Sequence, residues 1–299
     1  MNKTIDLHMH TNNSDGTLSP KEVIDEAKKN GVSVISITDH DTIDAYTDEL
    51  FEYAKSKNIE LITGIEVSTK SHGVGIHVLG YNIDIHNNEF RDNLFKLRNI
   101  RHKYLHDVGE KLEELGYVLN VEELDKIKSV TKAHIALDIV NNPVNREKLL
   151  RDFNKVPNKG EFIETIMNEG CPAYVKKEVV TPSDAAKIIR QAGGKVVLAH
   201  PVAYIHQDNL KDNDILEIIK EMNADGIEAN YMFYDTERNK FDEVEKWNKI
   251  ARENNLLATI GSDFHNKEDN HRMIGLINEN IHLTDAQIDK IIKSLTSTK

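Results

Sequence analysis

Short apolar, β-branched runs recur at both ends of this chain, and several of them stop on a histidine or an acid. Ile5 to His8, Val32 to Thr38, Ile59 to Thr63 and Gly75 to Tyr81 read as early strands. Val196 to Ala199, Gly226 to Ala229 and Leu256 to Ile260 read as late ones. Amphipathic segments separate them, which is the pattern of βα units around a parallel sheet or barrel. Helix starts are marked by Ser19-Pro20-Lys21-Glu22, Thr181-Pro182-Ser183-Asp184 and Thr284-Asp285-Ala286-Gln287, each a capping residue with an acid or amide three positions on.

The middle reads differently. From about Asn88 to Glu178 strand signals nearly vanish and charged helical periodicity takes over. The expected organisation is an α/β domain in two parts, residues 1–88 and 179–299, interrupted by a mostly helical insertion over 89–178 that folds against the barrel mouth as a cap. At 299 residues the chain is long enough to bury a substantial core. Its 38 Lys and Arg against 50 Asp and Glu, a formal charge of −12, argue against a large basic surface that grips nucleic acid through its phosphates. No apolar run approaches membrane-spanning length and the first residues lead straight into a strand, so a cytoplasmic protein is expected. Cys171 is the only cysteine, which excludes an internal disulfide and a thiolate zinc site. Any metal must be held by imidazole and carboxylate.

The polar strand ends carry the chemistry. Asp6-Leu7-His8-Met9-His10 places two histidines two apart, on one face of an extended segment, where both can grip one ion or simply lie half-buried. Asp15 follows in Asn13-Ser14-Asp15-Gly16, where it is either a ligand or a turn former. Thr38-Asp39-His40-Asp41 closes the second strand; Ile65-Glu66-Val67 buries an acid between apolar neighbours; His77 sits inside Gly75-Ile76-His77-Val78-Leu79. A buried carboxylate is costly unless a cation or hydrogen bonds compensate it. Ala199-His200-Pro201 and Gly261-Ser262-Asp263-Phe264-His265 repeat the arrangement late in the chain, at the strand edge that hosts active sites in parallel α/β architectures. His72, His86, His102, His106, His206, His271 and His282 fall in charged loops or on helix surfaces. His134, in Thr131-Lys132-Ala133-His134, belongs to a basic pair at a helix start that could receive a phosphate.

This ordered set resembles the polymerase and histidinol phosphatase (PHP) family over nearly the whole chain, and most closely its stand-alone bacterial phosphoesterases, the nucleoside 3′,5′-bisphosphate phosphatases and 5′-3′ exoribonucleases. The resemblance implies a distorted seven-stranded (β/α) barrel with two or three Mn, Zn, Fe or Mg ions at the strand carboxyl ends. His8, His10, Glu66 and Asp263 would hold the first ion, and Asp15, His40 and His265 the second. His77 and His200, with Glu66 bridging, would hold the third. Lys132 and His134 match the segment that contacts substrate phosphate in those relatives, although they usually carry Arg where this chain has Lys132, and often Arg where it has Val202 and Ala203. Lys cannot make the two-pronged phosphate contact of Arg; Lys176 and Lys177 are candidates for replacement charge.

The expected chemistry is hydrolysis of a phosphate monoester on a small nucleotide by a metal-bridging hydroxide. Glu66 and Asp263 anchor the ions, and Lys132 and His134 bind the phosphate or help protonate the leaving group. The rivals are exonuclease action on short RNA, histidinol-phosphate hydrolysis, and a non-catalytic metal-stabilised module. The expected partner is a small phosphorylated substrate, a nucleotide or short oligonucleotide, with no membrane and no extended nucleic-acid surface.

Overall fold

A computed structural model describes residues 3–297, apart from 177, 179, 236, 269–271 and 278–280. The chain divides into two compact units, residues up to Leu94 together with those after Glu178, and Phe95–Glu178. The break therefore falls inside the long helix Asn88–Glu114 rather than at its start. Among the described residues no helix is long and apolar enough to cross a membrane.

The first unit is built on seven strands: β1 (Ile5–Asp6), β2 (Val34–Ile37), β3 (Glu60–Ser71), β4 (Val74–Tyr81), β5 (Lys195–Leu198), β6 (Gly226–Asn230) and β7 (Leu257–Ile260). They hydrogen-bond in that order. The last returns to the first through Leu7 N–H to Ile260 O at 3.1 Å, Asp263 N–H to His8 O at 2.8 Å and a parallel bridge between Met9 and Phe264. The sheet thus nearly closes into a barrel, the expected architecture. Helices α1 (Pro20–Lys29), α2 (Asp48–Ser56), α8 (Pro182–Gln191), α9 (Pro201–His206), α10 (Asp212–Glu221), α11 (Val244–Glu253) and α12 (Asp285–Thr296) belong to this unit. Ser19, Thr181 and Thr284 cap α1, α8 and α12 from their side chains. The core joins Ile5, Leu7, Val34, Leu79, Val197 and Ile260 of the strands to Ile288, Ile291 and Leu295 of α12.

One strand departs from the parallel pattern. β4 runs antiparallel to both β3 and β5. The cause is local: β3 and β4 are joined by only two residues, His72 and Gly73, both at positive φ (51° and 83°), the geometry of a tight hairpin turn with no room for a crossover helix. β3 also continues beyond its expected end at Thr63 to Ser71. A small additional hairpin, Phe233–Tyr234 with Lys240–Phe241, was not expected from the sequence.

The second unit is helical among its described residues: the remainder of α3 (Asn88–Glu114), then α4 (Val121–Leu124), α5 (Lys132–Asn141), α6 (Arg146–Phe153) and α7 (Lys159–Phe162). Leu105, Val108, Leu112, Ile135, Ile139 and Phe162 form the centre of its own core.

Candidate metal centre

Parallel strands put their carboxyl ends on one rim, so the residues following β1, β2, β5 and β7 meet there. His8 and His10 follow β1, His40 follows β2, His200 follows β5, and Asp263 and His265 follow β7. Glu66 lies midway along β3, bridged to His40. His77 reaches the same rim because β4 runs the other way and pairs it with Ser68 of β3. Asp15 arrives from the loop after β1, whose turn is tied by Thr11 N–H and Oγ1 to the two oxygens of Asp39 at 2.7 Å each, and by Ser14 Oγ to Asp39 at 2.6 Å.

Three overlapping groups result, each with ligand atoms within 4.8 Å of one another: His8, His10, Glu66 and Asp263; His10, Asp15, His40 and His265; and His40, Glu66 and His77. His200 adjoins the third, its Nε2 3.3 Å from both His77 Nδ1 and Glu66 Oε1. Glu66 divides its two oxygens. Oε2 lies 3.4 Å from His8 Nε2 and 3.2 Å from both His10 Nε2 and His40 Nδ1, while Oε1 lies 3.1 Å from His77 Nδ1. Asp263 Oδ1 is 3.4 Å from Nε2 of both His8 and His10. All nine expected ligands are thus brought together, with His10 and His40 each shared between two groups rather than confined to one.

The electrostatics follow from that crowding. Burial alone would push Glu66 and Asp263 up, yet the surrounding imidazoles hold both carboxyls well below the usual range, and His40 and His265 do the same for Asp15. Burial opposes charge on His8 and His10, but facing carboxylates raise His8 well above its ordinary value and His10 to about 10. His40 moves the opposite way, lowered by burial and by the neighbouring charges of His10 and His77. Protons on buried imidazoles here stand where a divalent ion would bind. The donor set fits one: imidazole nitrogens and carboxylate oxygens without a thiolate, together with buried Asp15 Oδ1, which lacks a hydrogen-bond partner. Backbone strain gathers here too, since His200 and Asp263 hold positive φ of 26° and 56°.

Several acids beside the candidate ligands serve the scaffold instead. Asp6 accepts from Ser262 and Gly275 backbone N–H groups at 2.9 Å each, and its burial lifts the carboxyl to about 6. Asp41 accepts from Ser68 N–H at 2.9 Å. Two residues that the sequence reading did not single out also belong to the rim. Glu228 of β6 contacts His8 Nδ1, and Arg272 donates to Asp263 Oδ2 at 2.9 Å. Glu228 carries the same signal as Glu66, an acid between apolar strand residues; Arg272 lies in a loop with no pattern to mark it.

The expected substrate contacts fall in the second unit. His134 stands at the third position of α5, where its Nδ1 accepts from Thr131 N–H at 3.1 Å, completing a reciprocal cap. Lys132 Nζ donates to Asn168 Oδ1 at 3.1 Å, and Lys176 lines a crevice with Tyr104 and Asp107. Lys177 and His271 lie outside the described residues. Of the histidines set aside, His102 and His106 pair with Asp125, and His206 pairs with Glu243 and stacks on Phe241. Cys171 is a half-buried free thiol.

Comparison with known proteins matches the PHP domain to residues 6–165. The chain is 35% identical over 268 residues to a 5′-3′ exoribonuclease of Haemophilus influenzae, covering 89% of this chain and 91% of that protein. It is 28% identical over 275 residues to a 3′,5′-nucleoside bisphosphate phosphatase of Chromobacterium violaceum, covering 91% and 90%. A solved amidohydrolase of Chromobacterium violaceum with bound sulfate superposes with a TM-score of 0.73 at 26% identity, over 91% of this chain and 90% of that one. A Bifidobacterium adolescentis structure described as a metal-dependent phosphoesterase shares the fold, with a TM-score of 0.75 at 22% identity over 99% and 97%.

Proposed function

This chain belongs to the PHP domain family, and we propose that it hydrolyses phosphate monoesters of small nucleotides, nucleoside 3′,5′-bisphosphates above all, with two or three divalent ions held on the barrel rim. The observation that carries this is the convergence of nine imidazoles and carboxylates from distant parts of the chain, eight of them in three overlapping groups whose ligand atoms lie within 4.8 Å of one another and His200 beside the third.

His8, His10, Glu66 and Asp263 would hold one ion, and Asp15, His40 and His265, with His10 beside them, a second. His77 and His200 would hold a third, with Glu66 shared between the first and the third. Mn, Zn, Fe and Mg all suit this donor set. Bound there, such ions supply a lowered pKa for coordinated water and positive charge against the attacking and leaving oxygens.

The chain's own groups do the rest. Tyr231 and Arg272 fix Oδ2 of Asp263, at 3.1 Å and 2.9 Å, and so aim its Oδ1 at His8 and His10. With Nδ1 engaged as an acceptor in the cap of α5, neutral His134 carries its proton on Nε2. That tautomer suits a residue that donates a hydrogen bond to a phosphate oxygen. Lys132, Lys176 and Lys177 would add positive charge for the phosphate. The acidic balance of the chain favours a small substrate over an extended polyanion.

A second reading has a specific observation in its favour, the 35% identity to an exoribonuclease. Under it the same rim cleaves mononucleotides from the 5′ end of short RNA. One assay separates the two: Mn²⁺-loaded protein incubated with a nucleoside 3′,5′-bisphosphate and with a short 5′-phosphorylated RNA. Inorganic phosphate released from the bisphosphate alone supports the first reading, and stepwise mononucleotide release from RNA supports the second. Turnover of neither substrate would count against both.

A further inference from the structure

Glu228 is a fully buried carboxylate at the rim that belongs to none of the three ligand groups. It sits in β6 between Ile227 and Ala229, on the strand next to β5 and β7. Both its oxygens face His8 Nδ1, Oε1 at 3.0 Å and Oε2 at 3.1 Å, and Oε2 also accepts the backbone N–H of His200 at 2.9 Å. Space for this arrangement is kept by Gly261, where a Cβ would lie 2.4 Å from Glu228 Oε1 and 2.3 Å from His8 Cβ. One side chain therefore touches β1 through the ring of His8 and the end of β5 through the peptide of His200.

We infer that Glu228 is a shared positioning residue of the metal centre, setting the ring of His8 and the peptide of His200 together without itself ligating an ion. The inference rests on the metal-centre reading above. A ring nitrogen facing two carboxylate oxygens carries the proton, which leaves the lone pair of His8 on Nε2. That nitrogen lies 3.4 Å from Glu66 Oε2, 3.4 Å from Asp263 Oδ1 and 3.3 Å from His10 Nε2, inside the first ligand group. The opposite tautomer would aim a lone pair at a carboxylate and a proton at the ligand position. At the other end, His200 holds φ 26° and ψ 58°, a backbone conformation that side chain-bearing residues keep only when their surroundings hold it. Its N–H bond to Glu228 is one such restraint, and it ties the third group to the first.

The test exploits chemistry that only a carboxylate meets. Two N–H donors, from His8 and His200, converge on Glu228, and a glutamine offers one acceptor and one donor. Glu228→Gln in the full chain is expected to bind Mn²⁺ about 10- to 100-fold more weakly by calorimetric titration. The loss should fall on more than one ion per chain, as read from metal content after dialysis. Glu228→Asp should recover neither contact fully, its carboxylate being one methylene short. Circular dichroism and melting of the chelated proteins check the fold. Wild-type protein that binds no Mn²⁺ would remove the metal centre itself. Wild type that binds Mn²⁺ with Glu228→Gln indistinguishable from it would overturn this inference alone, as would a variant whose melting temperature falls while its affinity holds. Should Glu228→Gln not fold, ring ¹⁵N spectra of Zn²⁺-loaded wild type decide: His8 is expected to be protonated at Nδ1, and a bare Nδ1 would overturn the inference.

Discussion

Arg272 donates from Nη1 to Oδ2 of Asp263 at 2.9 Å, while the other oxygen of that carboxylate lies 3.4 Å from Nε2 of both His8 and His10. A loop arginine thus orients an acid that faces two histidines from the opposite end of the chain. Replacing Arg272 by Ala removes one charge-assisted bond at a partly exposed position, and kcat/KM on Mn²⁺-loaded protein should fall about tenfold. Lys should restore part of it, keeping the charge but not the planar fork. Steady-state kinetics check this, and an Ala variant with wild-type kcat/KM would detach Arg272 from the site.

Asp263→Asn should lower both metal content and turnover, the latter on the order of a hundredfold or more, because a neutral amide is a poor divalent-ion ligand. Chelated wild type should be inactive on phosphate esters and recover with Mn²⁺. Activity that survives thorough chelation would refute metal dependence, and an Asn variant with normal metal content would refute the ligand role.

The metal-free protein should have its own pH dependence. His10 titrates at about 10 in the folded chain against an ordinary 6.5, and His8 is raised in the same direction. Their contribution is full below 6.5 and declines as pH rises toward 10. Asp6, raised from 3.8 to about 6, likewise contributes stability that is lost as pH rises through 6. Glu66, Asp15 and Asp263 are lowered, so their contribution is present above the ordinary carboxylate values of 4.5 and 3.8 and is lost on acidification. Chelated protein should therefore melt highest between about pH 5 and 6.5 and progressively lower toward pH 9. Mn²⁺-loaded protein should resist the alkaline fall, since bound imidazoles are already neutral. Melting curves across that range, with and without chelator, test the sign; a chelated protein with a flat alkaline limb would contradict it.

Gly261→Ala should destabilise the barrel by about 1–3 kcal/mol, the cost of overpacking a filled interior, because its new methyl would overlap His8 Cβ and Glu228 Oε1. Urea unfolding of the chelated protein measures this. An unchanged midpoint would mean that β1 and β7 yield more easily than their packing suggests.

By itself, the sequence determined most of the strands and the types of the candidate ligands. Period-two apolar runs ending in His, Asp or Glu are local signals, and burial of Glu66 between Ile65 and Val67 needs no knowledge of partners. Ser19, Thr181 and Thr284 were legible as helix starts for the same reason, since a cap acts within four residues. Tertiary structure alone decided the relations between strands. The two-residue turn sets β4 antiparallel to β3 locally, but only the sheet order, with β4 between β3 and β5, places His77 on the rim. Glu228 meets His8 across 220 positions of sequence, and Arg272 meets Asp263 across nine. Side-chain types are written in the chain, but which of them share a carboxylate depends on barrel closure, a long-range packing outcome that no local window of sequence contains.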